Sequence, residues 1–304
     1  MARPPLNAAA ASPGGLPREA DLQAFAAAAA QLLVERQPRA AGSRVVNGRE
    51  GAGLQHLDHR DYAPGDEVRH IDWRQTARRR SPVVRRFEAE TVADWTLIVD
   101  ASSSMATHGG AKWQAALKAA AAMAWALLQL GHRVGLLVFG ERVLAETPHG
   151  RGAAHYAAIA RQLLALQPAP LGEGSSLAAC VRHLRGAASI FVIADFLADA
   201  EMRRDLSALL PRCTALHVLQ LRDAADTRLP ATPGELAVVD VETGEQVPVQ
   251  APDAELQAAA TRVAATLRLR RFCGQRGAAF TDWDVAQPWQ PTLLRHLVQA
   301  RRHC

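Results

Sequence analysis

Residues 95–104 carry the sequence Trp-Thr-Leu-Ile-Val-Asp-Ala-Ser-Ser-Ser. The first five lack any charge and suit a strand that is buried on both faces. Asp100 follows this strand directly, and Ser102 and Ser104 are spaced by two, so both hydroxyls can point the same way as the carboxylate. Ligands of open parallel α/β sheets collect at the carboxyl ends of the strands. The stretch therefore predicts a buried strand with a polar site at its end.

The chain beyond Asp94 alternates apolar strands with helical segments, which is typical of βαβ units. We predict strands at residues 95–99, 133–139, 143–146, 189–194, 215–221 and 278–285. We predict helices at residues 112–130, 153–166, 176–185, 200–210, 253–275 and 291–301. This order predicts an α/β fold with a doubly wound, mostly parallel sheet of the Rossmann type, and the last strand is expected at one edge.

Three segments are expected along the chain. Residues 1–20 are rich in Ala, Pro and Gly and predict a disordered tail. Residues 21–93 are expected to form an accessory segment that begins with an amphipathic helix ended by Pro38. Residues 94–304 are expected to form the α/β domain, which includes a hairpin at residues 236–249, a long helix and the edge strand.

Composition narrows the class of protein. Hydrophobic residues make up 49% of the 304 positions, which suits a globular chain. The N-terminus lacks the charged and apolar segments of a secretory signal, and no stretch reaches the roughly 18 apolar residues of a spanning helix. We therefore expect a cytoplasmic protein without a membrane span. The four cysteines are far apart and predict free thiols rather than a zinc or redox motif.

The charge pattern is only weakly basic. The net charge is +5, and arginines are densest at residues 78–80 and 85–86. Acidic residues lie on both sides of these arginines, and no aromatic residues alternate with them as they do in surfaces that stack bases. This pattern does not favour nucleic-acid binding as the main function, and a basic nucleic-acid-binding module stays open as an alternative.

A second carboxylate follows another predicted strand, because Asp195 comes directly after residues 189–194. The loop before helix 176–185 adds two further hydroxyls, those of Ser175 and Ser176. We expect Ser176 to be the ligand, since it stands just before the helix and can also serve as its N-cap. Oxygen ligands of this kind suit Mg²⁺ or Mn²⁺ rather than softer metals.

Asp100-x-Ser102-x-Ser104 resembles the first motif of the metal-ion-dependent adhesion site in von Willebrand factor A domains, and Asp195 resembles its last. The resemblance implies that the two serines bind the metal directly. It also implies that the aspartates act largely through water and that one coordination position is left for a partner's carboxylate. The middle motif of that family supplies a threonine, where this chain has Ser175 and Ser176.

A block before the α/β segment looks like the hallmark of the domain of unknown function 58 (DUF58) family. It comprises residues 60–73, Ala77-Arg78 and residues 87–90. Members resemble this chain in carrying the block before an A-type domain, and they are commonly encoded beside AAA+ ATPases of the MoxR type. The resemblance implies such an ATPase as a partner.

Six residues of this block are candidates for a partner-binding surface: Tyr62, Asp66, Arg69, Asp72, Trp73 and Arg78. The alternative is structural and is the one we favour. In it, Asp66 and Asp72 pair with Arg69 and Arg78, while Trp73 packs the accessory segment onto the sheet.

The sequence favours a non-enzymatic, metal-dependent adaptor that binds an acidic ligand or client protein and acts with a MoxR-type ATPase. No Gly-x-Ser-x-Gly elbow follows a strand, and no Gly-x-x-x-x-Gly-Lys-Ser/Thr loop is present. A metal-dependent hydrolase that uses Asp100 and Asp195 remains the enzymatic alternative, but no general base is identifiable.

Overall fold

Asp94–Asp100 is one of the two central strands of a six-stranded sheet in the computed structural model. The structure describes residues 15–33, 55–62, 71–79, 81–88, 92–170, 174–184, 186, 188–197, 199–227, 235–239 and 246–301. The strands are β1 (Gln55–Asp61), β2 (Val83–Glu88), β3 (Asp94–Asp100), β4 (Arg133–Phe139), β5 (Val143–Gly150), β6 (Ala188–Ala194), β7 (Cys213–Arg222), β8 (Glu235–Val239), β9 (Gln246–Gln250) and β10 (Ala279–Asp284). The α-helices are α1 (Glu19–Leu33), α2 (Trp73–Arg79), α3 (Thr107–Gln129), α4 (Gly152–Ala165), α5 (Ala178–Val181), α6 (Asp199–Leu209), α7 (Ala251–Gln275) and α8 (Trp289–Ala300).

The sheet has the strand order β10-β7-β6-β3-β4-β5. All neighbouring pairs are parallel except β4 and β5, since β5 runs antiparallel at one edge. From β3 the chain first builds the β4 side and then crosses to β6 on the other side. The order therefore reverses between β3 and β6, where the loops that follow these two strands diverge and leave a crevice for ligands.

Side chains alternate along the buried strands and so point to both faces of the sheet. Helices cover both of these faces. Leu97 and Val99 of β3 face a core that includes residues of α1, α3, α4 and α8. Ile98 faces the opposite core, which includes residues of α5, α6 and α7. The expected mixed α/β architecture, with a mostly parallel sheet flanked by helices, is confirmed.

Most of the predicted strands and helices are found within a few residues of their expected bounds. Strand β5 runs to Gly150, four residues further than expected, because it stays paired with β4 through Thr147 and Gly150. The helix expected at residues 176–185 is only the four-residue α5. No helix in the described part of the chain is both long enough and apolar enough to cross a bilayer.

Helix α1 belongs to the α/β unit rather than to the accessory segment in which the sequence placed it. Leu22, Phe25, Ala29 and Leu33 form one buried face and join the core that contains α3 and α8. The ring of Phe25 meets that of Trp289 edge-on, with 5.4 Å between centroids. The apolar face of α1 is thus buried in the larger unit, which comprises residues 1–36 and 93–304.

Residues 37–92 form the second unit. Strands β1 and β2 pair antiparallel, and Asp72 caps helix α2. Its Oδ1 accepts hydrogen bonds from the backbone N–H groups of Arg74 at 3.0 Å and Gln75 at 3.1 Å. Trp73 has 64% of its surface exposed, and its expected packing onto the sheet stays a prediction. The predicted tail up to residue 14, together with Asp66 and Arg69, lies outside the described residues.

Candidate functional site

The carboxylate of Asp100 lies at the end of β3, fully buried among hydroxyl groups. Its Oδ1 accepts a hydrogen bond from the backbone N–H of Ser102 at 2.8 Å. The Oγ atoms of Ser102 and Ser104 are 3.1 Å apart, and both serines are buried. The spacing of two residues has thus brought the hydroxyls together beside the carboxylate, as the sequence predicted.

Ser175, rather than Ser176, brings its hydroxyl to this cluster. Ser175 Oγ donates to Asp100 Oδ2 at 3.1 Å, whereas the backbone N–H of Ser176 donates to the carbonyl of Gly140 at 2.8 Å. The expected N-cap role of Ser176 is also wrong, because α5 begins at Ala178 and Leu177 occupies the cap position. The described hydroxyl hydrogen bond to Asp100 thus comes from Ser175, next to the serine that the sequence favoured, and the choice of metal ligand stays a prediction.

Asp195 follows β6 and is buried. Its Oδ1 lies 3.4 Å from the backbone nitrogen of Leu197. The intervening Phe196 has a φ of 54°, a left-handed conformation that is uncommon for a bulky side chain, and it is buried. Such backbone geometry is concentrated at functional sites, where the surroundings hold it in place.

Lys112 places a buried positive charge against Asp195. Its Nζ lies 2.9 Å from Asp195 Oδ2 and 3.1 Å from each carboxylate oxygen of Asp226. The lysine side chain has 0% exposure, and those of Asp195 and Asp226 have 1% and 6%. Lys112, the first residue of the helix predicted at 112–130, is therefore the centre of a buried ion-pair network.

The network continues outward from Asp226, which lies in a short 3-10 helix, Ala224–Thr227, just after β7. Arg262 of α7 donates from Nη2 to Asp226 Oδ2 at 3.2 Å. His108 Nε2 lies 3.6 Å from Asp226 Oδ1, and this imidazole is 42% exposed. Thr107 Oγ1 donates to the carbonyl of Ser104 at 2.7 Å. The ion-pair network and the serine cluster are thus adjacent parts of one rim.

A left-handed turn leads from the serines to Lys112. His108, Gly109 and Gly110 have φ values of 50°, 75° and 74°. Two glycines suit this conformation, which disfavours residues with a Cβ atom. Regular helix resumes beyond the turn, and Lys112 follows two residues later in the buried position described above.

Burial raises the pKa of Asp100 to about 7, and the charge of Asp195 adds to this rise. Hydrogen bonds from Ser102 and Ser175 lower the pKa of Asp100 but do not cancel the increase. A carboxylate in this position is costly to ionise, because burial removes water and a second carboxylate repels its charge. A cation near Asp100 would relieve both effects.

The residues present fit a divalent metal only if serine oxygens take part. Among the described residues no group of three or more His, Cys, Asp or Glu side chains is arranged to hold a metal ion. The cluster instead offers Asp100 with the hydroxyls of Ser102, Ser104 and Ser175, a hard oxygen set that suits Mg²⁺ or Mn²⁺. Gln220 adds a buried Oε1 that has no partner within the described ranges, while its Nε2 donates to the Asp195 carbonyl at 3.3 Å.

The candidate partner residues lie in the second unit, and four of the six are described. Asp72 caps α2, while Trp73 and Arg78 are exposed on that helix. The backbone N–H of Tyr62 donates to the carbonyl of Pro82 at 2.8 Å. Trp73 and Arg78 therefore remain available as a surface, whereas Asp72 has a structural role.

Sequence reasoning missed Asp226 and Arg262. Asp226 had a usable signal, because it follows β7 and carboxyl ends of parallel strands meet at one rim. Arg262 had none, since it lies on a helix 36 positions further along the chain and reaches the rim only in the folded protein.

Comparisons with solved structures give only a distant likeness. The chain resembles the pilus adhesin SpaC from Lactobacillus rhamnosus GG in its open conformation, with a TM-score of 0.35 and 12% sequence identity. The match covers 71% of this chain and 30% of the adhesin, so the chain spans less than a third of that protein. A second structure of the same adhesin gives a TM-score of 0.32, again with 12% identity, over 70% of this chain and 31% of the adhesin.

Sequence comparisons are closer. Uncharacterized proteins of Mycobacterium bovis and of two Mycobacterium tuberculosis strains are each 29% identical over 262 residues, covering 83% of this chain and 81% of the relative. The pattern of the family described as "Protein of unknown function DUF58" matches residues 58–269, which is more than half of the chain. The chain therefore belongs to the DUF58 family.

Proposed function

We propose that this protein is a metal-dependent adaptor whose β3–β6 rim works as an adhesion site of the von Willebrand factor A type. The observation that carries the proposal is the buried Asp100 carboxylate, surrounded by three serine hydroxyls and repelled by Asp195. A divalent ion is the simplest partner for such a set, because it neutralises the carboxylates and accepts hydroxyl oxygens as ligands.

Ser102, Ser104 and Ser175 would hold the ion directly, and Asp100 would stand behind them. Asp100 Oδ1 already accepts from the Ser102 N–H and Oδ2 from the Ser175 hydroxyl, so it orients two of these serines. Such outer contacts fix ligand orientation and tune affinity. The bound ion would supply one coordination position for the carboxylate of an acidic protein ligand or client.

We further propose that a MoxR-type AAA+ ATPase is the partner that acts on the captured client. Membership of the DUF58 family supports this assignment, given the gene neighbours that the family resemblance implies. The exposed Trp73 and Arg78 of α2 offer a second contact surface, on the smaller unit. An exposed tryptophan beside an arginine is a composition enriched in protein interfaces.

Isothermal titration with Mg²⁺ and Mn²⁺ tests the metal. We expect the wild-type protein to bind one ion and Asp100→Ala to bind none. Asp94→Ala is the matched control, because Asp94 lies at the opposite end of β3 and pairs with Arg133 at 3.1 Å. If the wild-type protein binds neither ion, the metal-dependent adaptor is excluded.

Binding of the purified ATPase, with and without EDTA, tests the partner. We expect capture of an acidic client to be lost in EDTA, and capture of the ATPase to depend on Trp73. ATPase binding that survives both EDTA and Trp73→Ala would place the interface elsewhere on the protein.

A further inference from the structure

We propose that Lys112 is a built-in cation that sets how tightly this rim holds a divalent metal ion. The inference rests on the proposed metal site, but it concerns a residue to which the adhesion motif gives no role. Lys112 would keep the affinity moderate, so that the ion binds firmly only when an acidic partner completes its coordination.

The first observation is that the Lys112 ammonium forms ion pairs with carboxylate oxygens on the rim. Lys112 Nζ lies 2.9 Å from Asp195 Oδ2 and 3.1 Å from both oxygens of Asp226. Asp195 is the aspartate that the motif assigns to the metal. The ammonium therefore competes with the ion for the same negative charge.

The second observation is that water does not screen this charge. The Lys112 side chain has 0% exposure, and the aspartates that face it have 1% and 6%. Charges that are shielded from solvent interact far more strongly than exposed ones. Repulsion between the buried ammonium and a divalent ion on the same rim must therefore weaken metal binding.

The third observation is the balance of charges. Three carboxylates, those of Asp100, Asp195 and Asp226, face two cations, Lys112 and Arg262, which leaves a formal charge of −1 when all are ionised. A bound divalent ion turns this into +1, which favours an acidic ligand. Without the ammonium the rim would carry −2, and the ion alone would neutralise it.

The surrounding structure holds the ammonium in place. The His108 to Gly110 turn precedes Lys112, and Arg262 Nη2 lies 3.2 Å from Asp226 Oδ2, an oxygen that Lys112 also contacts. Asp226 thus binds two cations, and Lys112 also contacts Asp195. The lysine cannot move to solvent without leaving the buried Asp195 carboxylate without the cation that pairs with it, which is strongly disfavoured.

Titration of metal-free protein with Mn²⁺ tests the inference, using Lys112→Met, Lys112→Arg and the matched control Lys118→Met. Lys118 is on the same helix and only partly buried. We expect Lys112→Met to bind Mn²⁺ at least about tenfold more tightly than wild type. Lys112→Arg, which keeps the charge, and Lys118→Met should both stay within about 1.5-fold of wild type.

A purely structural lysine would give a different result. In that case Lys112→Met would lower stability without any gain in Mn²⁺ affinity, and this outcome overturns the inference. An equal gain in Lys118→Met would overturn it as well. If wild type binds no Mn²⁺ but Lys112→Met does, the proposed function fails while the role of Lys112 stands; if neither binds, both fail.

Arg262→Met provides a second test if Lys112→Met does not fold. Arg262 is at the outer end of the network with 16% exposure, so its loss should be tolerated better. The substitution removes one of the positive charges that pair with Asp226, and it should raise Mn²⁺ affinity by about threefold. An unchanged or weaker affinity in a folded Arg262→Met protein overturns the inference by itself.

Discussion

Ser175 Oγ lies 3.1 Å from Asp100 Oδ2 and links the loop before α5 to the end of β3. This contact joins residues 75 positions apart in sequence. It completes a cluster in which the carboxylate accepts from a backbone N–H on one oxygen and from a hydroxyl on the other. The loop serine is therefore the third hydroxyl of the candidate metal site.

Removing the Ser175 hydroxyl should weaken metal binding, whereas removing the hydroxyl of the adjacent Ser176 should not. We expect Ser175→Ala to lower Mn²⁺ affinity by about tenfold, because one direct oxygen is lost and Asp100 Oδ2 loses its donor. Ser176→Ala is the matched control and should change the affinity by less than about twofold, since the described contact of Ser176 uses its backbone. Titration calorimetry measures both, and a larger loss in Ser176→Ala than in Ser175→Ala would favour Ser176 as the ligand.

Replacing Asp100 by asparagine should stabilise the metal-free protein while abolishing metal binding. Burial and the charge of Asp195 make an ionised Asp100 unfavourable. Asparagine is neutral and can still accept from the Ser102 N–H. We expect Asp100→Asn to raise the free energy of unfolding by about 1–3 kcal/mol at pH 8 in EDTA.

Urea unfolding with and without Mn²⁺ checks this expectation. Added Mn²⁺ should stabilise wild type through binding but leave Asp100→Asn unchanged. A variant that is less stable than wild type in EDTA would show that the carboxylate stabilises the empty rim.

The fold and part of the site were predictable because they depend on local patterns. Strand β3 is an apolar run that ends in Asp100, and β6 ends just before Asp195, so both carboxylates were placed at the rim from the sequence alone. Two carboxylates at strand ends are enough to locate this rim once the sheet is known to be parallel.

The rest depends on tertiary contacts that no local pattern encodes. The choice between Ser175 and Ser176 is fixed by how the loop meets Gly140 and Asp100. The pairing of Lys112 with Asp226 joins α3 to the short 3-10 helix after β7, and the two residues are 114 positions apart. A lysine on an alanine-rich helix gives no sign in sequence that its ammonium is buried.

The cap of α2 gives a prediction for the smaller unit. Asp72 accepts from two backbone N–H groups of the first turn, and Asp72→Ala should cost about 1 kcal/mol of local stability. Asp72→Asn keeps an acceptor oxygen and should lose much less. Hydrogen exchange of the α2 amides measures the difference, and equal protection in wild type and Asp72→Ala would exclude the capping role.

Trp73 should act in binding rather than in folding. Because 64% of its surface is exposed, Trp73→Ala should change the free energy of unfolding by less than about 0.5 kcal/mol. The same variant should reduce affinity for the proposed ATPase by about tenfold or more. Calorimetric unfolding and surface plasmon resonance separate the two effects, and a large loss of stability would return Trp73 to a packing role.

A buried histidine pair predicts how stability depends on pH. Thr281 Oγ1 donates its proton to Gln299 Oε1 at 3.0 Å, so it can only accept from His296 Nδ1, which lies 3.0 Å away. With a neutral His296, Nε2 accepts from His217 Nδ1 at 3.1 Å. Complete burial favours this neutral form at both imidazoles.

Burial lowers the pKa of His217 to about 4 and, together with His217, the pKa of His296 well below its usual value of 6.5. As the pH falls below about 6.5, unfolded chains take up protons that the folded protein does not, so stability decreases toward pH 4. We expect a loss of roughly 2 kcal/mol for each histidine between pH 7.5 and pH 5. His296→Gln can preserve both hydrogen bonds and should lose about half as much over this range in urea unfolding; an equal loss in variant and wild type would assign the pH dependence to other groups.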